Sequence, residues 1–399
     1  MRLNPDTRGM TILLAMMVAL GPLSTDMYLA SMPHIGAALG ASNASVQLTM
    51  SIYIVGFAFG QVMHGPLSDK YGRRPVLLGG FALYVTAALA CMASTTIDLL
   101  IAARIAQAIG AAASTILARS IVRDLYEGAR AGRQLAVMSV IAGLTPICAP
   151  VLGGVLQAWF DWPASFAAMA MLGGALATAV FLLLPETNRY AHAGPISLRT
   201  ILTSFGVVLQ NRAYRSYLGI QAFSYNGLFA FLCGSSYVLQ EIYGFSAMQF
   251  GLLFATCSMS FVVGAYLGGR MVARRGLDGM IRLGVLFLLI GGVGQVLGVL
   301  AFPTTTAALV FPEMIYFMGI GFLLPNTQAA AMQPFPERAG AASSLIGFAQ
   351  MMSAALVSWI MAAQLGQTAL PMAIVMAIAG LGAFLVFHTT KRHRKEQGR

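Results

Sequence analysis

Long apolar segments, separated by short polar or Pro/Gly-rich breaks, follow one another along the whole chain. A helix of about 20 residues crosses a hydrocarbon core of about 30 Å, and each segment has this length. Twelve segments are predicted, near Met10–Met32, Ser45–Gly65, Pro75–Ala93, Leu99–Arg119, Gln134–Gln157, Pro163–Leu184, Tyr214–Tyr237, Ala247–Gly269, Met280–Phe302, Thr306–Gln328, Gly340–Gln364 and Thr368–Thr389. The pattern predicts an all-α integral membrane protein with twelve transmembrane helices.

The longest polar connection divides these helices into two bundles of six. It predicts an N-terminal bundle over 1–184, a cytoplasmic linker over 185–212 and a C-terminal bundle over 213–399. The loops after the second and eighth segments are similar, since Gly65 and Gly72 match Gly269 and Gly276 at an offset of 204 residues. The match indicates a duplicated architecture, which recurs in transporters.

Composition and charge support a membrane location. The chain is 58% hydrophobic and 9% charged, and its mean hydropathy is +0.77, whereas an ordinary soluble domain is about 25% charged. This excludes a cytosolic enzyme, a nucleic-acid-binding protein and a secreted disulfide scaffold. The net charge is +11, but 23 of the 24 Lys and Arg residues fall on one predicted side of the membrane. By the positive-inside rule both termini are cytoplasmic, and no nucleic-acid partner is expected.

The four cysteines lie singly in apolar segments, without the spacing of a metal site. We therefore expect buried thiols, no metal and no disulfide framework.

Three charged residues fall well inside predicted helices: Asp26, Arg104 and Glu313. Charges inside a bilayer are costly and usually functional. Asp26 and Arg104 have similar depth in the same bundle and could pair, so that proton, substrate and arginine compete for one carboxylate. The alternative is a static ion pair that fixes helix packing. Glu313 follows Pro312 in the other bundle and could face water.

Other polar and aromatic residues in the helices could line a substrate cavity, although most such side chains only pack. The candidates are Tyr28, Tyr53, Gln61, Gln107, Gln221, Tyr225, Asn226 and Asn326.

The loop string GPLSDKYGRRP predicts a cytoplasmic gate. Gly65 and Gly72 permit close helix approach and a tight turn. Asp69 is expected to cap the helix that begins at Gly340–Ser344. Arg73 or Arg74 is expected to bond Asp124, which would hold the bundles in an outward-open state. The alternative is a positively charged loop that only sets topology.

The fifth segment contains GLTPICAPVLGG. The string begins at Gly143. Pro146 and Pro150 are expected to bend the helix. Gly153 and Gly154 are expected to allow the backbone of a neighbouring helix to approach closely. Such a helix suits rocking between bundles, or is simply a kinked packing helix.

These strings resemble the major facilitator superfamily over essentially the whole chain. The loop GPLSDKYGRRP resembles its loop signature, Arg104, Gln107 and Gly110 resemble its fourth-helix signature, and GLTPICAPVLGG resembles its antiporter helix. Ala149–Pro150, and STDMYLASMP at Ser24–Pro33, are similar to the bicyclomycin-resistance (Bcr/CflA) exporters. The resemblance implies a drug/proton antiporter that uses the proton gradient, needs no cofactor and couples through Asp26 and Arg104.

The resemblance thus favours a bacterial inner-membrane exporter of small amphipathic molecules, such as bicyclomycin- or chloramphenicol-like antibiotics. Its partners would be the lipid bilayer, the drug and protons, and it would act as a monomer. The alternative is a proton-coupled exporter of a metabolite, such as an amino acid or sugar derivative. A membrane receptor or enzyme is less well supported, because the sequence offers neither a His cluster nor a nucleophile–base pair.

Overall fold

The computed structural model describes residues 7–126, 128–188, 198–335, 339–364 and 368–397, and within these ranges no strand occurs. The first half contains α1 (Arg8–Leu29), α2 (Met32–Leu39), α3 (Asn43–Tyr71), α4 (Arg73–Met92), α5 (Ile97–Leu125), α6 (Gly128–Phe160) and α7 (Pro163–Leu183). The second half contains α8 (Leu198–Gln210), α9 (Arg212–Tyr237), α10 (Ala247–Ala301), α11 (Thr306–Met332), α12 (Ala339–Gln364), α13 (Leu370–Thr389) and α14 (Lys391–Gln397).

Each predicted segment has its long helix, with three differences of detail. The first segment is divided, because α1 ends at Leu29 and the short α2 begins at Met32. The eighth and ninth segments lie in the single element α10, which is interrupted at Gly276 (φ 68°, ψ 172°). The predicted linker contains the helix α8. Among the described residues, ten helices are long and apolar enough to cross a membrane.

The helices begin where polar side chains satisfy their first free N–H groups. Thr7 caps α1, Thr96 caps α5 and Asn211 caps α9, each through a side-chain oxygen that accepts a backbone N–H. Between these caps the apolar residues leave the backbone no alternative partner in lipid, so the helix is the structure that satisfies every N–H and C=O group.

The chain divides into two compact units. Unit 1 comprises Met1–Ile196 and Ser246–Leu252, and unit 2 comprises Ser197–Phe245 and Leu253–Arg399. In unit 1, α5 packs against α3 and α4, and α1 packs against α6; in unit 2, α9 packs against α11, α12 and α13.

The duplicated loops share a backbone feature. Gly72 joins α3 to α4 with φ 95°, and Gly276 interrupts α10 with φ 68°. Both values lie in the left-handed region that favours glycine. The match at an offset of 204 residues is therefore a match of conformation as well as of sequence.

One cysteine departs from the expected burial. Cys91, Cys233 and Cys257 are buried, but Cys148 on α6 is exposed. A helix in lipid can present apolar side chains outward at little cost, so a position in an apolar segment does not require burial inside the protein.

Candidate functional site

Arg104 is the centre of a buried polar cluster in unit 1. It lies on α5, and its relative exposure is 0%. Its Nη1 donates hydrogen bonds to the Ser24 carbonyl oxygen (3.2 Å) and to Gln107 Oε1 (2.8 Å). Gln107 lies one helical turn away on the same helix, and Ser24 belongs to α1. Arg104 therefore links the first and fourth predicted spans.

Three aromatic rings surround the guanidinium and form what we call the aromatic cage: Tyr28, Tyr53 and Phe166. Its Cζ lies 4.7 Å, 4.1 Å and 5.8 Å from the respective ring centroids. The faces of aromatic rings attract cations, and the attraction reaches about 2 kcal/mol where water is excluded. The cage therefore compensates part of the cost of burying the positive charge.

Asp26 on α1 is the buried acid of unit 1, with 4% exposure. Its Oδ1 accepts a hydrogen bond of 2.8 Å from Thr25 Oγ1. The pairing that the sequence allowed for Asp26 and Arg104 is absent here, since no carboxylate of the described residues forms an ion pair with Arg104. Ser24, Gln107 and the cage occupy the guanidinium instead. Tyr53 still lies within electrostatic range of both Asp26 and Arg104.

The guanidinium retains free donor capacity. Arg104 Nε and Nη2 are buried and make no hydrogen bond with any described residue. Leaving a charged donor unpaired away from water is costly. A ligand atom or a carboxylate that can approach these two N–H groups would therefore be bound strongly.

In unit 2, Glu313 on α11 is the buried acid. Its exposure is 0%, so the expectation that it could face water is wrong. Gln295 Nε2, from α10, donates a 2.6 Å hydrogen bond to Glu313 Oε2. Sequence reasoning did not single out Gln295, because a lone Gln in an apolar helix gives no signal until the partner helix is placed.

The predicted cavity residues are distributed over both units. Tyr28, Tyr53 and Gln107 contact Arg104 in unit 1, and Gln61 lies about two helical turns further along α3 than Tyr53. In unit 2, Gln221 is buried, Asn326 Nδ2 donates to the Phe322 carbonyl oxygen (2.7 Å), and Tyr225 and Asn226 are half-buried on α9. Their role in a common cavity stays a prediction.

Arg73 organises the loop between α3 and α4. Its Nη1 lies 2.5 Å from Asp69 Oδ1, and its Nε lies 2.9 Å from Asp124 Oδ2 at the end of α5. The predicted contact with Asp124 is thus present and is made by Arg73, whereas Arg74 Nη2 donates to the Phe181 carbonyl oxygen. The capping of the Gly340–Ser344 helix by Asp69 stays a prediction.

A further acid completes this loop. The backbone N–H groups of Arg73 and Arg74 donate to Glu186 Oε1 (2.9 Å) and Oε2 (3.0 Å). A carboxylate at a helix N-terminus satisfies free N–H groups and complements the helix dipole. Sequence reasoning missed Glu186, although the sequence shows an acid directly after the sixth segment and no polar capping residue before the third segment.

The two loop glycines differ. Gly72 makes the predicted tight turn, and a Cβ there would lie 2.7 Å from Glu186 Oε2. Gly65 lies inside α3 with nothing within 4 Å of its Cβ position, so the close approach predicted at Gly65 is wrong. α3 continues past this position to Tyr71, and the turn occurs only at Gly72.

The string of the fifth segment lies within one uninterrupted helix, α6, which contains Pro146 and Pro150 and runs through the half-buried Gly143. A Cβ on Gly153 would lie 2.1 Å from the Met27 carbonyl oxygen of α1, and one on Gly154 2.5 Å from the Ala247 carbonyl oxygen, both within unit 1. The predicted close backbone approach is present at both glycines.

Comparison with known proteins identifies the family. The model of the Major Facilitator Superfamily matches residues 14–358. The chain is 33% identical to an uncharacterized MFS-type transporter, YdgK, of Bacillus subtilis (96% of each chain). It is 28% identical to the bicyclomycin resistance protein homolog of Haemophilus influenzae (96% and 97%), and 32% identical to multidrug resistance protein MdtL of Escherichia coli (91% and 90%).

Solved structures show the same fold. A peptide transporter POT in complex with sulfate superposes with a TM-score of 0.76 at 13% identity, covering 96% of this chain and 94% of the other. A D-xylose–proton symporter gives 0.73 at 15% identity, covering 95% and 96%. At this identity the likeness concerns the fold alone. The chain therefore belongs to the major facilitator superfamily and is a multi-pass, all-α membrane transporter.

Proposed function

We propose that this chain exports small amphipathic molecules, including antibiotics, from the cytoplasm in exchange for protons by alternating access. The names of its relatives, a bicyclomycin resistance protein homolog and multidrug resistance proteins, support the class of cargo. The proton gradient supplies the energy, and no cofactor takes part. The transporter acts as a monomer in the bacterial inner membrane, with both termini cytoplasmic.

The observations that carry the proposal are a buried guanidinium with two free donors and a buried acid in the same unit. Asp26 and Arg104 are not paired, but both lie within electrostatic range of Tyr53. Deprotonated Asp26 is attracted to the free N–H groups of Arg104, since opposite charges interact strongly where water is excluded. Once Asp26 is protonated the attraction is lost, and a hydrogen-bond acceptor on the cargo can bind Arg104 instead.

Exchange follows from this competition. A proton that enters from outside neutralises Asp26, and its release to the cytoplasm restores the charge. Cargo and carboxylate alternate at the guanidinium, so neither moves without the other. We assign Glu313 a part in the same proton coupling from unit 2, and Tyr28, Tyr53, Gln61, Gln107, Gln221, Tyr225, Asn226 and Asn326 to the cargo cavity.

Movement would occur between the bundles at 1–184 and 213–399, joined by the linker at 185–212. The loop held by Arg73, Asp69 and Asp124 would serve as the cytoplasmic gate together with Gly72 and Arg74. The close contact of α1 and α6 at Gly153 would transmit changes at Asp26, because Met27 is the next residue on α1.

A metabolite exporter with the same coupling is the second candidate, because the name of the relative at 33% identity gives no cargo. Reconstituted vesicles with an imposed pH gradient separate the two. We expect uphill accumulation of neutral antibiotics, with stoichiometric proton counter-movement that an uncoupler abolishes.

Accumulation of amino acids or sugar derivatives alone would favour the second candidate. Transport of any cargo without proton movement would contradict antiport. A protein that binds cargo but accumulates none would contradict export altogether.

A further inference from the structure

Each unit contains a close helix crossing at an equivalent position of the duplicated sequence. These crossings allow the buried polar residues of the two units to be compared position by position. In unit 1, a Cβ on Gly110 of α5 would lie 2.7 Å from the Gly80 carbonyl oxygen of α4. In unit 2, a Cβ on Gly319 of α11 would lie 2.9 Å from the Gly284 carbonyl oxygen of α10. Gly80 and Gly284 are related by the same offset of 204 residues as the duplicated loops. The crossings are therefore equivalent points of the two halves.

Relative to its helix crossing, Glu313 occupies the same position in unit 2 as Arg104 does in unit 1. Arg104 lies six residues before Gly110, and Glu313 lies six residues before Gly319. Each is fully buried. The duplicated position thus carries the basic residue Arg104 in unit 1 and the acidic residue Glu313 in unit 2. Each of the two side chains lies among other buried polar side chains.

The neighbouring helix matches in the same way. Cys91 lies eleven residues after Gly80, and Gln295 lies eleven residues after Gly284. Gln295 donates to Glu313 directly. The position that carries a thiol in unit 1 therefore carries a carboxamide in unit 2, and this carboxamide binds the acid.

The hydrogen bonds of Glu313 and Gln295 are incomplete in a specific way. The amide N–H is used at 2.6 Å, but Glu313 Oε1, Gln295 Oε1 and the Tyr316 hydroxyl are buried without a partner among the described residues. If Glu313 is ionised, both Oε1 atoms are acceptors and cannot satisfy each other. A proton on Glu313 Oε1 makes it a donor, and the two side chains can then form a ring of two hydrogen bonds.

We propose that Glu313 and Gln295 form a proton-binding site in unit 2, in which the carboxylic acid and the carboxamide hold one proton in this ring. The inference rests on the proposed function for its role, as a second coupling site beside Asp26. On binding, a proton from the aqueous phase forms an O–H bond at Glu313 Oε1. On release that bond breaks, the proton returns to water, and the carboxylate remains.

The surroundings favour a proton over a metal cation. Among the described residues, the titratable groups within electrostatic range of Glu313 are Cys257 of α10 and Tyr316 of its own helix. Gly227 of α9 lies against the Tyr316 hydroxyl. Hard cations take about six or more oxygen ligands, whereas three unsatisfied oxygens are present.

The test is infrared difference spectroscopy of the full-length protein in lipid nanodiscs, titrated with acid and base. It detects the carbonyl stretch of a protonated carboxyl group without any transport. We expect a hydrogen-bonded acid band that Glu313→Gln removes and that persists in Asp26→Asn. Gln295→Leu should shift this band to the position of a free acid, and Gln328→Leu, on the same helix as Glu313 but outside the site, should leave it in place. If Gln295→Leu does not fold, Gln295→Asn, whose amide is one methylene shorter, should give a shift in the same direction.

A Glu313 carboxylate that stays ionised over the whole titration would overturn the proposal, as would a band unaffected at Gln295. A band that disappears on adding sodium at constant pH would show a cation site instead. Failure of drug transport with the infrared result intact would remove the proposed function and leave the proton site standing.

Discussion

Gly72→Ala should destabilise the protein through a conformation that only glycine adopts easily. Gly72 has φ 95° and ψ 154°. A side chain in this region costs of order 1–3 kcal/mol. The new Cβ would also lie 2.7 Å from Glu186 Oε2, which is closer than Cβ contacts occur.

The displaced carboxylate adds to this cost. Glu186 accepts the backbone N–H groups of Arg73 and Arg74, and each net hydrogen bond contributes about 1 kcal/mol. Glu186 is exposed, so water replaces part of what is lost. We expect a total destabilisation of about 2–4 kcal/mol.

Thermal unfolding in detergent micelles, combined with vesicle transport, measures the effect. The matched control is Gly79→Ala on α4, the helix that follows Gly72, because nothing lies within 4 Å of the Cβ position of Gly79. Replacing a helical glycine by alanine stabilises by roughly 0.5–1 kcal/mol. We therefore expect Gly72→Ala to unfold at a lower temperature and Gly79→Ala at an unchanged or higher one. Equal unfolding temperatures for the two variants would refute the reasoning.

Three further outcomes are expected. Gly153→Val should abolish transport, because the Cβ position of Gly153 lies 2.1 Å from a Met27 backbone oxygen. Its control, Gly174→Val, should transport normally, because the Cβ position of Gly174 is open. Similar transport rates in the two variants would contradict a role for this contact. Arg73→Lys should lower the transport rate several-fold, since one ammonium cannot reproduce the planar guanidinium that reaches both Asp69 and Asp124. Asp124→Asn should have a comparable effect. A wild-type transport rate in either variant would exclude the gate. Single cysteines introduced at each terminus should react with a membrane-impermeant reagent in inverted vesicles only. Their labelling in intact cells would contradict the assigned orientation.

The fold was largely predictable because a bilayer imposes strong constraints on a sequence. Every spanning helix needs a long apolar segment, and cytoplasmic loops accumulate basic residues. The predicted segments therefore coincide with helices from α1 to α13. The division of the first segment at Leu29 escaped, because Ala30 and Ser31 do not change the hydropathy pattern.

The buried acids and base were predictable as residues but their partners were not. Asp26, Arg104 and Glu313 stand out because charge is rare in apolar helices. Their contacts depend on how each helix is rotated about its axis and on where the helices cross. Hydrophobic periodicity and composition do not specify either of these. Hence the aromatic cage around Arg104 and the amide of Gln295 appeared only once the helices were placed.

The measurement that tests the central proposal most directly uses Asp26→Asn in reconstituted vesicles, with Asp98→Asn, an exposed acid in the first turn of α5, as its matched control. Asparagine resembles the protonated acid and cannot release a proton. We predict that the Asp26 variant still exchanges labelled for unlabelled cargo but no longer accumulates it along a pH gradient, whereas the Asp98 variant does both. Uphill accumulation by Asp26→Asn at the wild-type rate, with protons moving in exchange, would contradict the assignment of Asp26 as the coupling acid.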